Sequence, residues 1–113
     1  MIEQIDWERL NTDTVGHAVI GSPPSFFDEQ RGIRFTEGSD GLDYFKGALF
    51  LLNGETQFAL KQYRGNEKST TTIYLDFRER DLEAITRMVA QISTDLGLTS
   101  SDIIWQRKDN PDA

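Results

Sequence analysis

Few residues in this chain have the types and spacing that chemistry requires. It holds one histidine, His17, and no cysteine. A cysteine nucleophile, a thiolate zinc site and a disulfide are therefore excluded. No GxSxG, GxxxxGK or HExxH occurs, and no GxGxxG sits in a strand–turn–helix context, which removes the common hydrolytic, phosphate-cradling, zinc-protease and dinucleotide signatures. His17 could serve as a general base only with an orienting carboxylate and a nucleophile within hydrogen-bond reach. On a short, half-apolar strand it reads more simply as a packed side chain.

Two other groups stand out. Glu37-Gly38-Ser39-Asp40-Gly41-Leu42-Asp43 combines carboxylates with glycines, as hard-cation loops do. It lacks the alternating acids and distal glutamate of an EF-hand, so a solvated turn leading into a strand is the expectation, and no metal or cofactor is assigned. The second group is aromatic and basic: Lys46, Phe50, Lys61, Tyr63 and Tyr74 fall within one stretch of alternating strands. An aromatic patch with a polar rim resembles the core of a protein interface. Aromatics with lysines could also stack single-stranded bases, but no RNP-like run accompanies them.

The elements that would position these groups centre on residues 44–77. Asn53-Gly54 is a hairpin signal, since both central residues of a type I′ turn take positive φ. A two-residue loop there pairs Leu52 with Glu55, Leu49 with Phe58 and Gly47 with Leu60. Phe45, Leu49, Leu51, Phe58 and Leu60 then share the core face. Leu60 opposite Ile73 and Phe58 opposite Leu75 extend the meander to a third strand, which requires an even-numbered connection around residues 65–68. On this register Phe50, Ala48, Ala59 and Tyr74 gather on the second face, bordered by Lys46 and Lys61. Either a partner covers that face, or the N-terminal segment folds over it with Trp7 or Phe26-Phe27.

Leu82, Ile85, Met88, Val89, Ile92 and Leu96 recur at helical spacing, predicting one long amphipathic helix over about 80–96. Gly97 fits its left-handed stop. A short N-terminal helix is expected over 2–10, and strands over Val15–Ile20, Ile33–Thr36 and Ile103–Arg107. For the last of these, a short helix capped by Ser100 or Ser101 competes. Ser22-Pro23-Pro24-Ser25 should end the first strand in an extended loop. The fold class is α+β: an antiparallel sheet of about 4–6 strands with the helix across one face. Residues 1–113 read as one domain, with a frayed tail over 108–113.

Charge narrows the partners. The net charge of −7 is uneven: −6 over residues 1–43, +2 over 44–80 and −3 over 81–113. An acidic field repels phosphate backbones and attracts basic proteins, so nucleic acid is not the expected partner. The longest apolar run, Ala48–Leu52, is far short of a membrane span, and the charged N-terminus lacks a signal-peptide core. A cytoplasmic location is expected. The sequence therefore favours a non-enzymatic acidic protein-binding domain, an immunity-type inhibitor that neutralises a basic partner such as a toxin. Its contact residues would be Phe50, Tyr74, Lys46, Lys61, Tyr63, Glu37, Asp40 and Asp43. The alternatives are a small acidic secretion or assembly chaperone acting as a homodimer, and a small hydrolase or transferase using His17 and a carboxylate.

Overall fold

The computed structural model describes residues 1–65 and 68–108. It is an α+β fold whose seven antiparallel strands form one sheet, more than the four to six expected, because Ile2–Ile5 joins it as a strand instead of a helix. The strands are β1 (Ile2–Ile5), β2 (Thr14–Ile20), β3 (Thr36–Ser39), β4 (Tyr44–Leu52), β5 (Thr56–Tyr63), β6 (Thr71–Asp76) and β7 (Ile103–Gln106). Their order is β1-β4-β5-β6-β2-β7, with β3 also pairing β4 beyond the end of β1. Helices α1 (Pro24–Arg31) and α2 (Leu82–Asp95) complete the main elements.

The central hairpin departs from the expected register by one residue. Asn53 and Gly54 take φ of 55° and 73°, and the Glu55 N–H closes the turn on the Leu52 carbonyl at 3.1 Å. Glu55 is then an extra residue, and the ladder resumes at Leu52↔Thr56, giving Phe50↔Phe58 and Ala48↔Leu60. One residue of slip inverts a strand. Ala48, Phe50 and Leu52 therefore face the helices, while Phe45, Leu49 and Leu51 turn to the other side. The β5–β6 register stands as expected, with Leu60↔Ile73 and Phe58↔Leu75. Of the connection expected around 65–68, residues 66 and 67 lie outside the described residues, as do 109–113 of the tail.

The helix-covered face is a buried apolar core. Phe50 stacks on Phe58 with centroids 4.9 Å apart and planes 9° from parallel. Ile73, Leu75, Ala18 and Ile20 continue the layer, and Ile85, Val89, Ile92 and Leu96 of α2 close it. Asp81 caps α2 by accepting from the Glu83 N–H at 3.1 Å. Its C-terminus ends in paired bonds, Leu98 N–H to Ser93 O at 2.8 Å and Gly97 N–H to Thr94 O at 3.0 Å. Gly97 supplies the required positive φ of 75°. Arg31, at the end of α1, donates to the Leu96 carbonyl at 2.7 Å and ties the two helices together.

Four further expectations change. Residues 2–10 form β1 and a single 3₁₀ turn, Trp7–Arg9, because Ile2–Ile5 finds the open edge of β4. The diproline segment opens α1, with Pro24 at the first turn, where a missing N–H costs nothing. It places Phe27 in the helix-side core, with Phe26 packed against that core. The strand expected at Ile33–Thr36 begins at Thr36 and runs into the acidic segment. Near the C-terminus, Thr99 rather than Ser100 or Ser101 caps a 3₁₀ turn that leads into β7.

Candidate protein-binding site

The second face of the sheet carries a small core built around a lysine. Ile5, Leu49 and Ala59 are its buried floor, with Trp7, Leu10, Leu51 and Tyr74 packed on them. Gln57 holds the covering segment down: its carboxamide donates to the Arg9 carbonyl at 2.8 Å and accepts from the Asn11 N–H at 3.1 Å. Two glycines make room for the rings. A Cβ at Gly47 would lie 2.8 Å from Phe45 and 3.2 Å from Trp7, and one at Gly38 would lie 3.0 Å from Phe45. Trp7, Phe45, Tyr63 and Tyr74 thus form a continuous chain of rings, with centroid spacings of 5.2, 5.4 and 6.0 Å.

Lys61 threads into this ring chain and is only 6 % exposed. Its Nζ lies 4.7 Å from the Phe45 centroid, 4.8 Å from Tyr74, 5.5 Å from Tyr63 and 5.6 Å from Trp7. Ring faces attract a cation more strongly when water is excluded. Burial lowers the lysine pKa, and the Asp40 charge opposes that shift. Nζ donates to Tyr63 Oη at 3.4 Å, and Tyr63 donates to Asp40 Oδ2 at 3.0 Å. Burial first, then the bond to Asp40, holds the Tyr63 phenol far above its ordinary range.

Asp40 carries this order into the β3–β4 loop. Its Oδ1 accepts the Leu42 and Asp43 N–H groups, both at 2.9 Å, and its own N–H donates to the Asp43 carbonyl at 3.2 Å. Ser39 accepts from the Gly41 N–H at 3.1 Å, and Asp43 from the Tyr44 N–H at 2.8 Å. Gly41 takes a φ of 93° that side chains resist. The bonds from the Asp43 and Leu42 backbone keep the Asp40 carboxyl below its usual range. Leu42, at the tip, is 96 % exposed, and Tyr44, at the base, is 58 % exposed under the Arg64 guanidinium at 4.6 Å.

The sequence-selected residues separate into three places. Lys61, Tyr63, Tyr74 and Asp40 come together as a brace behind the loop, and Asp43 lies within the loop. Glu37 and Lys46 are cross-strand partners that line a shallow groove of about 210 Å³ on the opposite face, with Tyr44, Gln62, Arg64 and Lys68. Phe50 does not belong to the site at all: the hairpin slip buries it against Phe58. Trp7, rather than Phe26-Phe27, is the N-terminal residue that covers the second face.

Sequence reasoning missed Leu42, Phe45 and Gly47. The glycines at 38 and 47, opposite ring-bearing strands, were the available signal. His17 is 1 % exposed at a bulge between Gly16 and Ala18, and neither ring nitrogen has a hydrogen-bond partner among the described residues. Burial, then the Arg107 charge, lowers its pKa. The orienting carboxylate that catalysis through His17 would need is not bonded to it.

Among the described residues no helix is long and apolar enough to cross a membrane, and no group of three His, Asp or Glu side chains is placed to hold a metal. Comparison of the chain with protein-family models, with curated proteins and with solved structures finds no match in any of the three.

Proposed function

We propose that this chain is a non-enzymatic, cytoplasmic protein-binding domain that offers its β3–β4 loop to a basic protein, in the manner of an immunity-type inhibitor neutralising a toxin. The observation that carries this reading is Leu42: a fully exposed leucine held on a loop whose backbone is fixed by one internal carboxylate. An exposed apolar side chain on a pre-ordered loop loses little conformational entropy on docking, which is how rigid binding loops gain affinity. Leu42 and Tyr44 are the anchors, and Asp43 and Glu37 supply the steering charge. The chain's −7 net charge adds a long-range attraction for a basic partner.

The test is capture of a basic partner from the native host, followed by kinetics on the purified pair. One-to-one binding whose association rate falls steeply with salt is expected. Asp43→Lys and Glu37→Lys should each slow association several-fold, whereas Leu42→Ala should act on dissociation. Binding of equal strength at high salt, or indifference to all three substitutions, contradicts the reading.

A further inference from the structure

The turn at Asn53-Gly54 sets a nucleophile beside an electrophile. In an asparagine–glycine pair the next backbone nitrogen approaches the side-chain carbonyl with least steric resistance, because glycine has no Cβ. The pair occurs once in this chain. Both residues are exposed, and both take positive φ. The Asn53 N–H donates to the Met1 carbonyl at 2.8 Å, and the Glu55 N–H closes the turn on Leu52. Between them, the Gly54 N–H has no acceptor among the described residues. It faces water, where base can remove its proton.

The electrophile, by contrast, is held. Gln91 of α2 donates from Nε2 to Asn53 Oδ1 at 2.7 Å, and Asn53 Nδ2 donates back to Gln91 Oε1 at 3.2 Å. The Met1 ammonium donates to the same Oδ1 at 2.7 Å. Closing a ring onto the Gly54 nitrogen requires the carboxamide to leave these partners and turn. The nucleophile is free and the electrophile is not, so the side-chain pair controls the step.

We infer that Asn53 is a modification site, a deamidation centre latched by its amide pair with Gln91. When the pair opens, the deprotonated Gly54 nitrogen attacks Asn53 Cγ. A C–N bond forms, a five-membered succinimide closes, and the carboxamide nitrogen leaves as ammonia. Water then adds to one imide carbonyl, and the ring C–N bond at that carbonyl breaks. Opening at the side-chain carbonyl leaves aspartate; opening at the main-chain carbonyl leaves isoaspartate. One water is consumed and one ammonia released, with no change of oxidation state.

The two products load the hairpin differently. Aspartate keeps oxygens that accept from Gln91 and the Met1 ammonium and loses only the donor. Isoaspartate routes the main chain through the side-chain carbons. It lengthens by one atom the same turn in which the extra residue Glu55 sets the β4–β5 register. Either product adds one negative charge to the chain's −7. The turn follows β4, whereas the Leu42 loop precedes it, so this inference stands apart from the loop reading.

The test is incubation of wild-type and Gln91→Ala chains at mildly alkaline pH, with mass spectrometry of peptides spanning position 53 to score aspartate and isoaspartate. The wild-type chain held in urea gives the unlatched rate. Folded wild type should convert several-fold more slowly than that reference, and folded Gln91→Ala several-fold faster than folded wild type. Alanine suits a helix, so Gln91→Ala should melt close to wild type. Val89→Ala weakens the core under α2 without touching the pair, and it should keep the wild-type rate. Equal conversion of folded wild type and Gln91→Ala overturns the inference. So does an Asn53 that stays intact in both while the urea sample converts. A Val89→Ala chain as fast as Gln91→Ala also overturns it, for unfolding of the whole domain would then set the rate.

Discussion

The two faces of this sheet are sealed by different physics. On the helix side, apolar side chains of α2 and α1 close over Phe50, Phe58, Ile73 and Leu75, and among the described residues Lys61, on the other side, is the buried Lys, Arg, Asp or Glu. On the other side, a ten-residue N-terminal stretch with one tryptophan closes over Leu49 and Ala59, and its centre is an ammonium group among four rings. The first face stabilises the fold through area removed from water. The second spends part of its burial on holding Tyr63 and Asp40, and through them a loop. On the proposed function, the helix side supplies stability and the other side displays the loop.

Substitutions should separate these roles. Phe50→Ala removes half of the stacked pair on the helix side and should cost about 3–5 kcal/mol in denaturant unfolding. If it instead abolished partner binding with stability intact, the division between the faces would fail. Gly47→Ala forces a methyl group against Phe45 and Trp7, and overpacking of that kind costs about 1–3 kcal/mol. Its loss should be accompanied by altered tryptophan fluorescence, as Trp7 is displaced from its seat.

Lys61→Met keeps the volume but removes the buried charge, and such exchanges are commonly neutral or stabilising. Stability within about 1 kcal/mol of wild type is expected, because the desolvation cost and the cation–π attraction are lost together. The loop, by contrast, should loosen. In Asp40→Asn, hydrogen exchange at the Leu42 and Asp43 amides should rise about tenfold or more, because a neutral acceptor holds those N–H groups less strongly. Unchanged exchange would mean that the carboxylate is not the brace.

The smallest expected effect comes from pH and belongs to His17. Its folded pKa lies below the ordinary 6.5. As pH falls past that value, the unfolded chain binds a proton that the fold refuses. Stability is therefore complete above about 6.5 and declines below it, until the folded group also titrates. His17→Gln should flatten this part of the pH–stability curve; an unchanged slope would assign it to other groups.

What could be read from residues alone followed the number of buried faces. The α2 stripe and the Leu60↔Ile73 register were legible because apolar and polar positions alternate with the period of each element, and Gly97 because a helix stop favours glycine. In β4, the run Ala48-Leu49-Phe50-Leu51-Leu52 is apolar at every position, since both faces are covered. Periodicity then cannot choose a register, and the single extra residue Glu55 decided it. β1 was equally hidden, because Ile2–Ile5 becomes a strand only through β4, some forty-five residues away. For the site, Lys61, Tyr63, Tyr74 and Asp40 were picked out by type, and the acidic loop by its composition. Leu42 gave no signal, for exposure at a loop tip is set by hydrogen bonds that form only in the fold.

The most direct test of the loop reading compares two baits in the native host, the wild-type chain and Leu42→Ala, with recovered proteins quantified. The expected result is a basic protein recovered one-to-one with wild type and reduced at least about tenfold with Leu42→Ala, while both baits melt at the same temperature. Equal recovery with the two baits would contradict the assignment of the β3–β4 loop as the docking element.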